Sequence, residues 1–430
     1  MLIILVFNQP SPSTTTHMTM DAADKHSDLK DRLFWIAKEE EIIQGKTTDV
    51  YFLYTQQVLR HVGKNPRVTI EVFARHLPVE GNWGIVLGIY EVAKLLEGRK
   101  GVNVKAMEEG EIFQVSPTVY EPVLQIEANY SDIAVLENPI LGFLCSSSGI
   151  ASKAARIRLA AGDRLLFSFG TRRAHPALAP MIERAIYIAG FDAVSNTLAG
   201  ELMNIKPIGT MPHALILAFG SQKDAWKAFD SSMPEDVKRI MLIDTLYDEK
   251  AEAIMALELL GDRLYGVRLD TPSSRRGNRR RIIEEVRWEL SIRGGRHVKI
   301  FVSGGLDEQE IEELRDVVDG FGVGTSVSAA PPVDFSFKVV EVDGRAIAKR
   351  GDMAGKKQVY RLGYRDVVTL AGSEASRRLE EQGYRMLLKD LIVDGRIVQK
   401  FKSVERLRSE VMSRLNELAR EEERSVTWLY

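Results

Sequence analysis

From about residue 151 onward, short apolar segments alternate with amphipathic ones, and this alternation limits the possible folds more than any other feature. The amphipathic segments, such as residues 248–262 and 278–292, have the three- and four-residue spacing of helices. Strands that alternate with helices over short connections form parallel βα units, and about seven units favour a closed or nearly closed barrel. A doubly wound open sheet is the alternative on this pattern alone. The predicted strands are RLLFSFG (164–170), GFDAVSN (190–196), KPIGT (206–210), RIMLIDT (239–245), LYGVRLD (264–270), HVKIFVSGG (297–305) and GFGVGT (320–325).

The segments on either side of this region have other patterns. Before it, residues 49–63 have the spacing of a helix, and residues 110–130 alternate apolar and polar residues as extended strands do. After it, residues 337–351 are typical of a hairpin, with Asp343 in the turn, and residues 407–424 of a charged amphipathic helix. We therefore expect a disordered or misassigned start (1–26), an N-terminal α+β domain (27–150), an α/β barrel (151–334) and a C-terminal segment ending in a helix (335–430).

The charge and cysteine content exclude several classes of protein. The chain has 58 Lys and Arg against 60 Asp and Glu, so no overall field attracts nucleic acid or an anionic membrane. Its one cysteine, Cys145, excludes an intramolecular disulfide, a cysteine-based zinc site and an iron–sulfur cluster. We expect a cytoplasmic protein without nucleic-acid or membrane partners.

Polar residues and glycines follow nearly every predicted strand of the barrel at its carboxyl end. In a parallel barrel these ends meet on one face, where active sites form. A purely structural set of polar residues would be scattered over both ends of the strands. The candidate residues are Gly170, Thr171, Arg172, Arg173, Ser195, Asn196, His213, Asp244, Arg268, Asp270, Ser303, Gly304, Gly305, Gly322, Gly324 and Thr325.

Two consecutive arginines, Arg172 and Arg173, follow the first of these strands. Guanidinium groups offer forked donors that suit phosphate or carboxylate, and Gly170 lets the backbone approach a ligand closely. Phe169 could offer its face to a flat ring. Two surface cations and a core phenylalanine are the structural alternatives.

Glycine-containing turns end the last two predicted strand segments, at Ser303–Gly305 and Gly322–Thr325. Turns that expose amide N–H groups before a helix hold phosphate at the late loops of barrels. Neither a GxxxxGK[ST] P-loop nor a GxGxxG fingerprint with an acidic partner is present. Two turns in succession therefore favour a phosphate site over plain turns.

Asp244 and Asp270 end neighbouring strands and could hold Mg²⁺, directly or through water, or bind sugar hydroxyls. Capping of the following helices is the structural alternative. His213 is a lone histidine after a proline, and its spacing alone favours a structural role. A neutral imidazole can also accept a phosphoryl group.

Five arginines surround a predicted helix start at Asn278, where cations oppose the helix dipole at ~0.3–1 kcal/mol each. A solvated face is the usual role of such a charge run. Because this placement is locally unfavourable, we expect an anionic partner, either nucleotide phosphates or acidic residues of another subunit. The arginines are Arg275, Arg276, Arg279, Arg280 and Arg281.

An ordered set of motifs resembles the nicotinate phosphoribosyltransferase family. The motifs are FSFGTRRAHP, SNTLAG, IGTMPHAL, LIDTLYD, VRLDT, FVSGGLDE and GKKQVYR, and the resemblance runs from Thr47 to about Arg361. It implies the type II phosphoribosyltransferase fold, an irregular α/β barrel packed with an α+β domain that N-terminal and C-terminal segments build together. It also implies a homodimer or higher homo-oligomer whose active sites are shared between subunits.

The resemblance further implies the roles of individual residues. Phe169 and Tyr51, the latter from the neighbouring subunit, would sandwich the pyridine ring. His213 occupies the position of the histidine that ATP phosphorylates in the family. The implied nicotinate-binding residues are Tyr51, Phe169, Arg172, Ser195, Asn196 and Arg268. The implied phosphate-binding residues are Arg172, Ser303, Gly304, Gly305, Gly322, Val323, Gly324 and Thr325. The implied catalytic residues are His213, Asp244, Asp270 and Arg268, and Asp244 and Asp270 would face Mg²⁺ indirectly.

The implied reaction joins nicotinate and phosphoribosyl pyrophosphate into nicotinate mononucleotide and pyrophosphate, with Mg²⁺ as cofactor and ATP hydrolysis as the coupled reaction of a ligase-type enzyme. Related nicotinamide enzymes carry Asp where this chain has Asn196, and an amide donor suits a carboxylate ligand, so nicotinate is favoured. Nicotinamide or quinolinate transfer and a non-catalytic nucleotide-binding barrel are the alternatives.

Some archaeal relatives have a cysteine-rich zinc element near the C-terminus, which this chain cannot build, so we expect its C-terminal region to be held differently.

Overall fold

The computed structural model of the protein describes residues 32–275, 277–421 and 424–429. The predicted start, residues 1–26, lies outside the described residues. The helix predicted over residues 49–63 is confirmed. The N-terminal part consists of helix α1 (Glu39–Ile43), helix α2 (Val50–His61), strand β1 (Arg67–Ala74), strand β2 (Trp83–Ile85), helix α3 (Ile89–Leu96), strand β3 (Asn103–Ala106), strand β4 (Ile112–Gln114), strand β5 (Pro122–Asn129), helix α4 (Tyr130–Ile133) and helix α5 (Glu137–Ala161).

The middle part contains a five-stranded parallel sheet of order β6-β10-β9-β8-β7 with helices between the strands. It therefore has the parallel βα units that the alternating sequence predicts. Its elements are β6 (Leu165–Ser168), α6 (Ala179–Ile188), α7 (Thr197–Met203), α8 (His213–Phe219), α9 (Gln222–Ser232), β7 (Ile240–Leu242), α10 (Glu249–Leu260), β8 (Gly266–Leu269), α11 (Arg279–Ile292), β9 (Lys299–Ser303), α12 (Glu308–Leu314), β10 (Gly320–Val323) and α13 (Thr325–Ser328).

Two predicted barrel strands, residues 190–196 and 206–210, are not regular strands. The first makes one isolated parallel bridge, Phe167 to Ala193, and the second donates a single backbone hydrogen bond from Ile208 to Val194. Pro207 has no N–H to give to a ladder, which explains why the second segment stays irregular. These segments lie next to the edge strand β6 without forming a ladder, so the barrel is irregular on this side.

The C-terminal part returns to the N-terminal part and completes its main sheet. That seven-stranded sheet has the order β12-β11-β1-β5-β3-β16-β17, so three N-terminal strands form its centre and two C-terminal strands lie on each side of them. The α+β domain expected from both segments is thereby confirmed. The C-terminal elements are β11 (Phe335–Val342), β12 (Arg345–Ala346), β13 (Lys357–Leu362), β14 (Arg365–Leu370), α14 (Glu374–Glu381), β15 (Arg385–Met386), β16 (Lys389–Val393), β17 (Arg396–Ile397), α15 (Val404–Leu418) and β18 (Ser425–Trp428).

The predicted hairpin joins β11 and β12 at the edge of that sheet. Asp343 and Gly344 form its two-residue turn with φ of 46° and 76°, the left-handed conformation that tight hairpin turns require. The Asp343 carboxylate accepts a hydrogen bond from the backbone N–H of Arg67 at 2.9 Å, which ties the turn to β1.

Helix α5 contributes to both hydrophobic cores. Its first half places Ile140 and Leu144 in the core of the α+β domain, whereas Ala154 and Ile157 of its second half pack in the core of the barrel. The domain boundary predicted at 150/151 falls inside this helix, and both it and the boundary at 334/335 stay predictions. Within the described residues, the segment Tyr130–Ala161 is long and apolar enough to cross a membrane, but most of its apolar stretch is buried, as in the core helix of a folded domain.

A buried cluster of charges holds the C-terminal strands against the N-terminal domain. Arg361 on β13 is almost fully buried and donates to Asp366 at 2.6 and 2.5 Å and to Glu111 at 3.0 Å. Arg385 and Arg414 also contact Glu111, so one carboxylate joins three segments. This cluster therefore ties β13 and the segments around it to the N-terminal domain.

Candidate active site

A cleft lies at the carboxyl ends of the parallel strands, where the polar residues were predicted to gather. It consists of two adjoining cavities of about 590 and 570 Å³. Both share Phe169, Arg172, Arg268 and Asp270, so they form one continuous site. The predicted residues that line it are Phe169, Arg172, Ser195, His213, Arg268, Asp270, Ser303, Gly304, Gly305, Gly322, Gly324 and Thr325.

Arg268 on β8 is held in one position by hydrogen bonds from all three of its guanidinium nitrogens. Nη1 donates to Thr210 Oγ1 at 2.7 Å, Nε to Ser303 Oγ at 3.0 Å, and Nη2 to Asp270 Oδ2 at 3.1 Å. The guanidinium carbon lies 5.0 Å from the centre of the Phe169 ring, within cation–π range. The cleft therefore presents a fixed cation beside an aromatic face.

Gly322 leaves room for the Phe169 ring. A Cβ atom built on Gly322 would overlap this ring, so any residue larger than glycine at this position would displace the ring. The N–H of Phe169 donates to the carbonyl of Val323 at 2.8 Å, which fixes the backbone below the ring. Val323 itself is buried and does not line the cleft.

A hydrogen bond from the backbone of Asp270 to the side chain of Asp244 joins these two residues. The N–H of Asp270 donates to Asp244 Oδ2 at 2.7 Å, and the Thr271 hydroxyl donates to the same oxygen at 3.1 Å. The other oxygen of Asp244, Oδ1, is buried and has no hydrogen-bond partner among the described residues. The Ser303 hydroxyl donates to Asp270 Oδ1 at 2.7 Å.

His213 is the first residue of α8 and faces both carboxylates. Its Nε2 lies 3.7 Å from Asp244 Oδ1 and 3.7 Å from Asp270 Oδ2, and its Nδ1 lies 3.0 Å from Thr245 Oγ1. The side chain is about one-third exposed. Its ring is thus oriented from both nitrogens and remains open to the cleft.

The proximity of these groups shifts their pKa values in opposite directions. Contact with the Asp270 carboxylate raises the pKa of His213, although burial acts against it. Burial alone would raise the pKa of Asp270, but His213 and the Arg268 charge outweigh burial and lower the pKa to about 2. Burial raises the pKa of Asp244. His213 is therefore stabilised as a cation and Asp270 as an anion.

The turn at Ser303–Gly305 presents unoccupied backbone donors. Gly304 and Gly305 have φ of 88° and 64°, a conformation that favours glycine. Among the described residues, the N–H groups of these two glycines have no hydrogen-bond partner. Thr325 also lines the cleft and is the first residue of α13. Because the first N–H groups of a helix have no partner within it, the Thr325 N–H has no partner within α13. These donors form a concave set that suits an anion.

Arg172 and Arg173 lie in a 3₁₀ turn, Thr171–Arg173, at the rim of the cleft. Both side chains are exposed, and in the part of the chain that the structure describes neither has a hydrogen bond or an ion pair. Gly170 packs so closely on Ser328 that a Cβ atom would overlap it, which holds the turn against α13. The two cations thus face the cleft unneutralised.

Mg²⁺ needs oxygen ligands and keeps several of its waters, with one or two carboxylates and substrate phosphates as its usual partners. The anionic Asp270 lines the cleft and meets that requirement, whereas Asp244 is almost fully buried and is not among the residues that line the cleft. The described residues contain no group of three or more His, Cys, Asp or Glu arranged to enclose a metal. The site therefore fits a magnesium ion held mainly by phosphates and water.

Comparison with known proteins decides the family. Residues 49–148 match the N-terminal domain and residues 150–338 the C-terminal domain of the family described as quinolinate phosphoribosyl transferase. A nicotinate phosphoribosyltransferase of Mycobacterium tuberculosis is 30% identical over 360 residues, covering 74% of this chain and 78% of its own. One from Bacillus subtilis is 29% identical and covers 73% and 72%. The chain belongs to the nicotinate phosphoribosyltransferase family.

Solved structures support the fold of this family member. The structure of a nicotinate-nucleotide pyrophosphorylase from Pyrococcus furiosus is 49% identical in sequence, has a TM-score of 0.86, and covers 91% of this chain and all of its own chain. The human nicotinic acid phosphoribosyltransferase has a TM-score of 0.71 at 20% identity, covering 89% and 97%. The second shows that the fold persists at low identity. The predicted type II phosphoribosyltransferase fold is confirmed.

Two predicted nicotinate-binding residues, Asn196 and Tyr51, do not line the cleft within this chain. Asn196 caps helix α7, since its Oδ1 accepts a hydrogen bond from the N–H of Ala199 at 2.9 Å, while the adjacent Ser195 lines the cleft. Tyr51 lies on α2 with about half its surface exposed. Its predicted role requires a second subunit and stays a prediction.

The arginine run at the start of α11 has internal partners where the structure describes it. Arg280 pairs with Asp316 and Glu284, and Arg281 pairs with Glu284 at 2.7 Å. Arg276 lies outside the described residues. These ion pairs offset the unfavourable placement of cations at a helix start, so Arg280 and Arg281 need no partner molecule.

Several residues that organise the cleft were not predicted from the sequence. Thr210 and Thr245 orient Arg268 and His213, Thr271 bonds Asp244, and Glu183 accepts from the Thr171 hydroxyl at 2.8 Å. The three threonines lie inside the motifs IGTMPHAL, LIDTLYD and VRLDT, and their positions next to the predicted residues could have indicated them. Glu183 lies outside every quoted motif.

Proposed function

We propose that the protein transfers the phosphoribosyl group of phosphoribosyl pyrophosphate to the ring nitrogen of nicotinate, a reaction of NAD salvage. The observation that carries this proposal is the fixed guanidinium of Arg268 beside the Phe169 ring, in a member of the nicotinate phosphoribosyltransferase family. Nicotinate is a flat ring with one negative charge. A single aromatic face with a single rigid cation is complementary to it.

The rest of the cleft suits phosphoribosyl pyrophosphate. The glycine turn and the start of α13 would hold the 5′-phosphate through backbone N–H groups, as the unpartnered amides of Gly304 and Gly305 support. Arg172 would bind the anionic substrate at the rim, since its charge is not neutralised by the protein. Asp244 and Asp270 would face the ribose between these two ends.

In the reaction, the nitrogen–C1 bond forms while the bond from C1 to the pyrophosphate oxygen breaks. The sugar becomes cationic as the leaving group takes up negative charge, so carboxylates near the ribose and cations near the pyrophosphate stabilise the transition state. The ring nitrogen of nicotinate carries no proton, so no general base is needed. Mg²⁺, when bound through Asp244, Asp270 and the phosphates, would supply further neutralising charge.

His213 would couple ATP hydrolysis to this reaction by carrying a phosphoryl group. Its position supports the role, because the ring is open to the cleft and is oriented by Thr245 on one nitrogen and by two carboxylates on the other. Attack on the γ-phosphate of ATP requires the neutral imidazole. Because the adjacent carboxylates stabilise the protonated imidazole, His213 would first lose its proton to solvent and then attack the γ-phosphate, with ADP as the leaving group.

The functional unit would be a homodimer with shared active sites, located in the cytoplasm. Helix α2 supports the dimer, because Val50, Tyr51, Leu53, Tyr54 and Val58 are each at least half exposed and Phe52 is its one buried residue. An apolar helix face of this kind is typical of a protein interface. In this arrangement Tyr51 would close the nicotinate site of the partner.

One assay series tests the proposed function. The purified protein is given phosphoribosyl pyrophosphate and Mg²⁺ with nicotinate, nicotinamide or quinolinate in turn, each with and without ATP. We expect nicotinate mononucleotide from nicotinate, at a rate that ATP increases. Quinolinate is included because the matched domains carry that substrate's name, and its turnover in place of nicotinate would overturn the proposal.

The His213→Ala variant separates the coupling from the transfer reaction. We expect it to lose the stimulation by ATP while it keeps some basal synthesis, since the transfer needs no base. Formation of an acid-labile phosphoryl group on the wild-type protein from labelled ATP provides the direct measurement. Loss of all synthesis in a folded variant would show that His213 does something other than carry phosphate.

A further inference from the structure

Arg279, the first residue of α11, contacts the glycine turn but is not among the residues that line the cleft. Its Nη2 donates to the carbonyl oxygens of Ser303 and Gly304, the latter at 3.1 Å. The side chain is largely buried and also pairs with Glu310 on α12, 3.8 Å away. One guanidinium thus joins the start of α11, the turn and the helix that follows it.

The direction of the two carbonyl groups fixes the direction of the two amides. In a planar trans peptide the C=O and the following N–H point to opposite sides. Because Arg279 binds the carbonyls of Ser303 and Gly304, the N–H groups of Gly304 and Gly305 point away from it. These are the two N–H groups that have no partner among the described residues.

We propose that Arg279 is a positioning residue that holds the Ser303–Gly305 turn in its phosphate-binding orientation. It acts through the backbone and does not touch the phosphate. Both glycines have left-handed φ values, and a glycine peptide without an external partner can rotate at little cost, so the turn depends on this clamp. The proposal deepens the proposed function and rests on its assignment of the turn to the 5′-phosphate.

The same contact explains why an arginine occupies the unfavourable first position of this helix. Arg281, two residues further along the chain, is largely exposed, and among the described residues its side chain pairs with Glu284 of the same helix. It has the same charge and a similar distance from the helix start, but no contact with the turn. Arg281 therefore provides a matched control for Arg279.

The test compares Arg279→Met, Arg279→Lys and Arg281→Met. Ribose 5-phosphate is the probe for the turn, because it has the 5′-phosphate and lacks the pyrophosphate. Its binding is measured by calorimetry, and the KM values for phosphoribosyl pyrophosphate and nicotinate are measured by steady-state kinetics. We expect Arg279→Met to weaken ribose 5-phosphate binding roughly tenfold or more and to raise the KM for phosphoribosyl pyrophosphate similarly.

We expect the loss of affinity in Arg279→Met to be confined to ligands that carry the 5′-phosphate. The KM for nicotinate and the binding of inorganic pyrophosphate stay within about twofold, Arg279→Lys recovers part of the affinity, and Arg281→Met matches the wild type. Equal losses for all ligands, or unchanged ribose 5-phosphate binding in a folded Arg279→Met, would overturn the proposal. If Arg279→Met does not fold, Arg279→Lys decides by the same comparison. Because calorimetry needs no turnover, failure of the wild type to use nicotinate would not affect this result.

Discussion

At the scale of single residues, Glu137 is a carboxyl group whose charge changes near neutral pH. It is the first residue of α5, and burial raises its pKa from an ordinary value of 4.5 to about 7, with Lys338 acting weakly in the other direction. In the unfolded chain it ionises near its ordinary pKa. The folded state therefore holds this proton more tightly, and the contribution of Glu137 to stability falls as pH rises from about 4.5 to about 7.

We predict that Glu137→Gln is more stable than the wild type at pH 8 and equally stable at pH 4.5. The amide keeps the shape of the protonated carboxyl and cannot ionise, so the difference in Tm should grow across this pH range. Glu405→Gln, which changes an exposed glutamate in the first turn of α15, is the control for the same substitution at the protein surface. A difference in Tm that is the same at every pH would contradict the prediction.

At the scale of elements, the 3₁₀ turn that carries Arg172 is anchored by one buried hydrogen bond. Thr171 donates to Glu183 on α6 at 2.8 Å, and Glu183 is fully buried without an ion-pair partner among the described residues. Burial raises the pKa of Glu183, and the Thr171 hydrogen bond acts against this. Burying a carboxyl group costs free energy that its hydrogen bonds offset only in part, so we infer that Glu183 is kept for the contact by which it fixes the turn.

We predict that Thr171→Val raises the KM for phosphoribosyl pyrophosphate about fivefold to tenfold, because a looser turn no longer presents Arg172 in one orientation. The change keeps the shape of the side chain and removes the donor. Thr69→Val is the control, since Thr69 is also buried and bonds a glutamate, Glu341, away from the cleft. An equal change in KM for both variants would show that the effect is a general loss of stability.

The elements also show what the sequence can and cannot predict. Strands such as β8 and β9 were predicted because short apolar runs end in polar residues, a pattern that depends only on local sequence. Residues 190–196 are also apolar, but whether they form a ladder depends on a neighbouring segment that contains Pro207. The roles of Arg279 and Glu183 were not predicted, since they depend on contacts with residues distant in the chain.

At the scale of the whole molecule, the exposed face of α2 and the open cleft of the barrel lie on separate parts of one chain. Tyr51 is on the first, whereas Asp270 is in the second. A closed dimer in which each α2 covers the other subunit's cleft would bury both surfaces through one twofold axis. In such a dimer each active site takes residues from both subunits, so two different defective subunits can complement each other, which a monomer or a dimer with unshared sites cannot do.

We predict that two inactive variants, Tyr51→Ala and Asp270→Asn, regain activity when they are unfolded and refolded together. A mixed dimer has one site with both defects and one site with neither, because the residues of each site come from different subunits. Random pairing of equal amounts makes half of the dimers mixed, so the recovered activity should be about a quarter of the wild type. Refolding each variant alone is the control. Recovery of no activity, with mixed dimers demonstrated by a tag on one variant, would show that each site is built from a single chain.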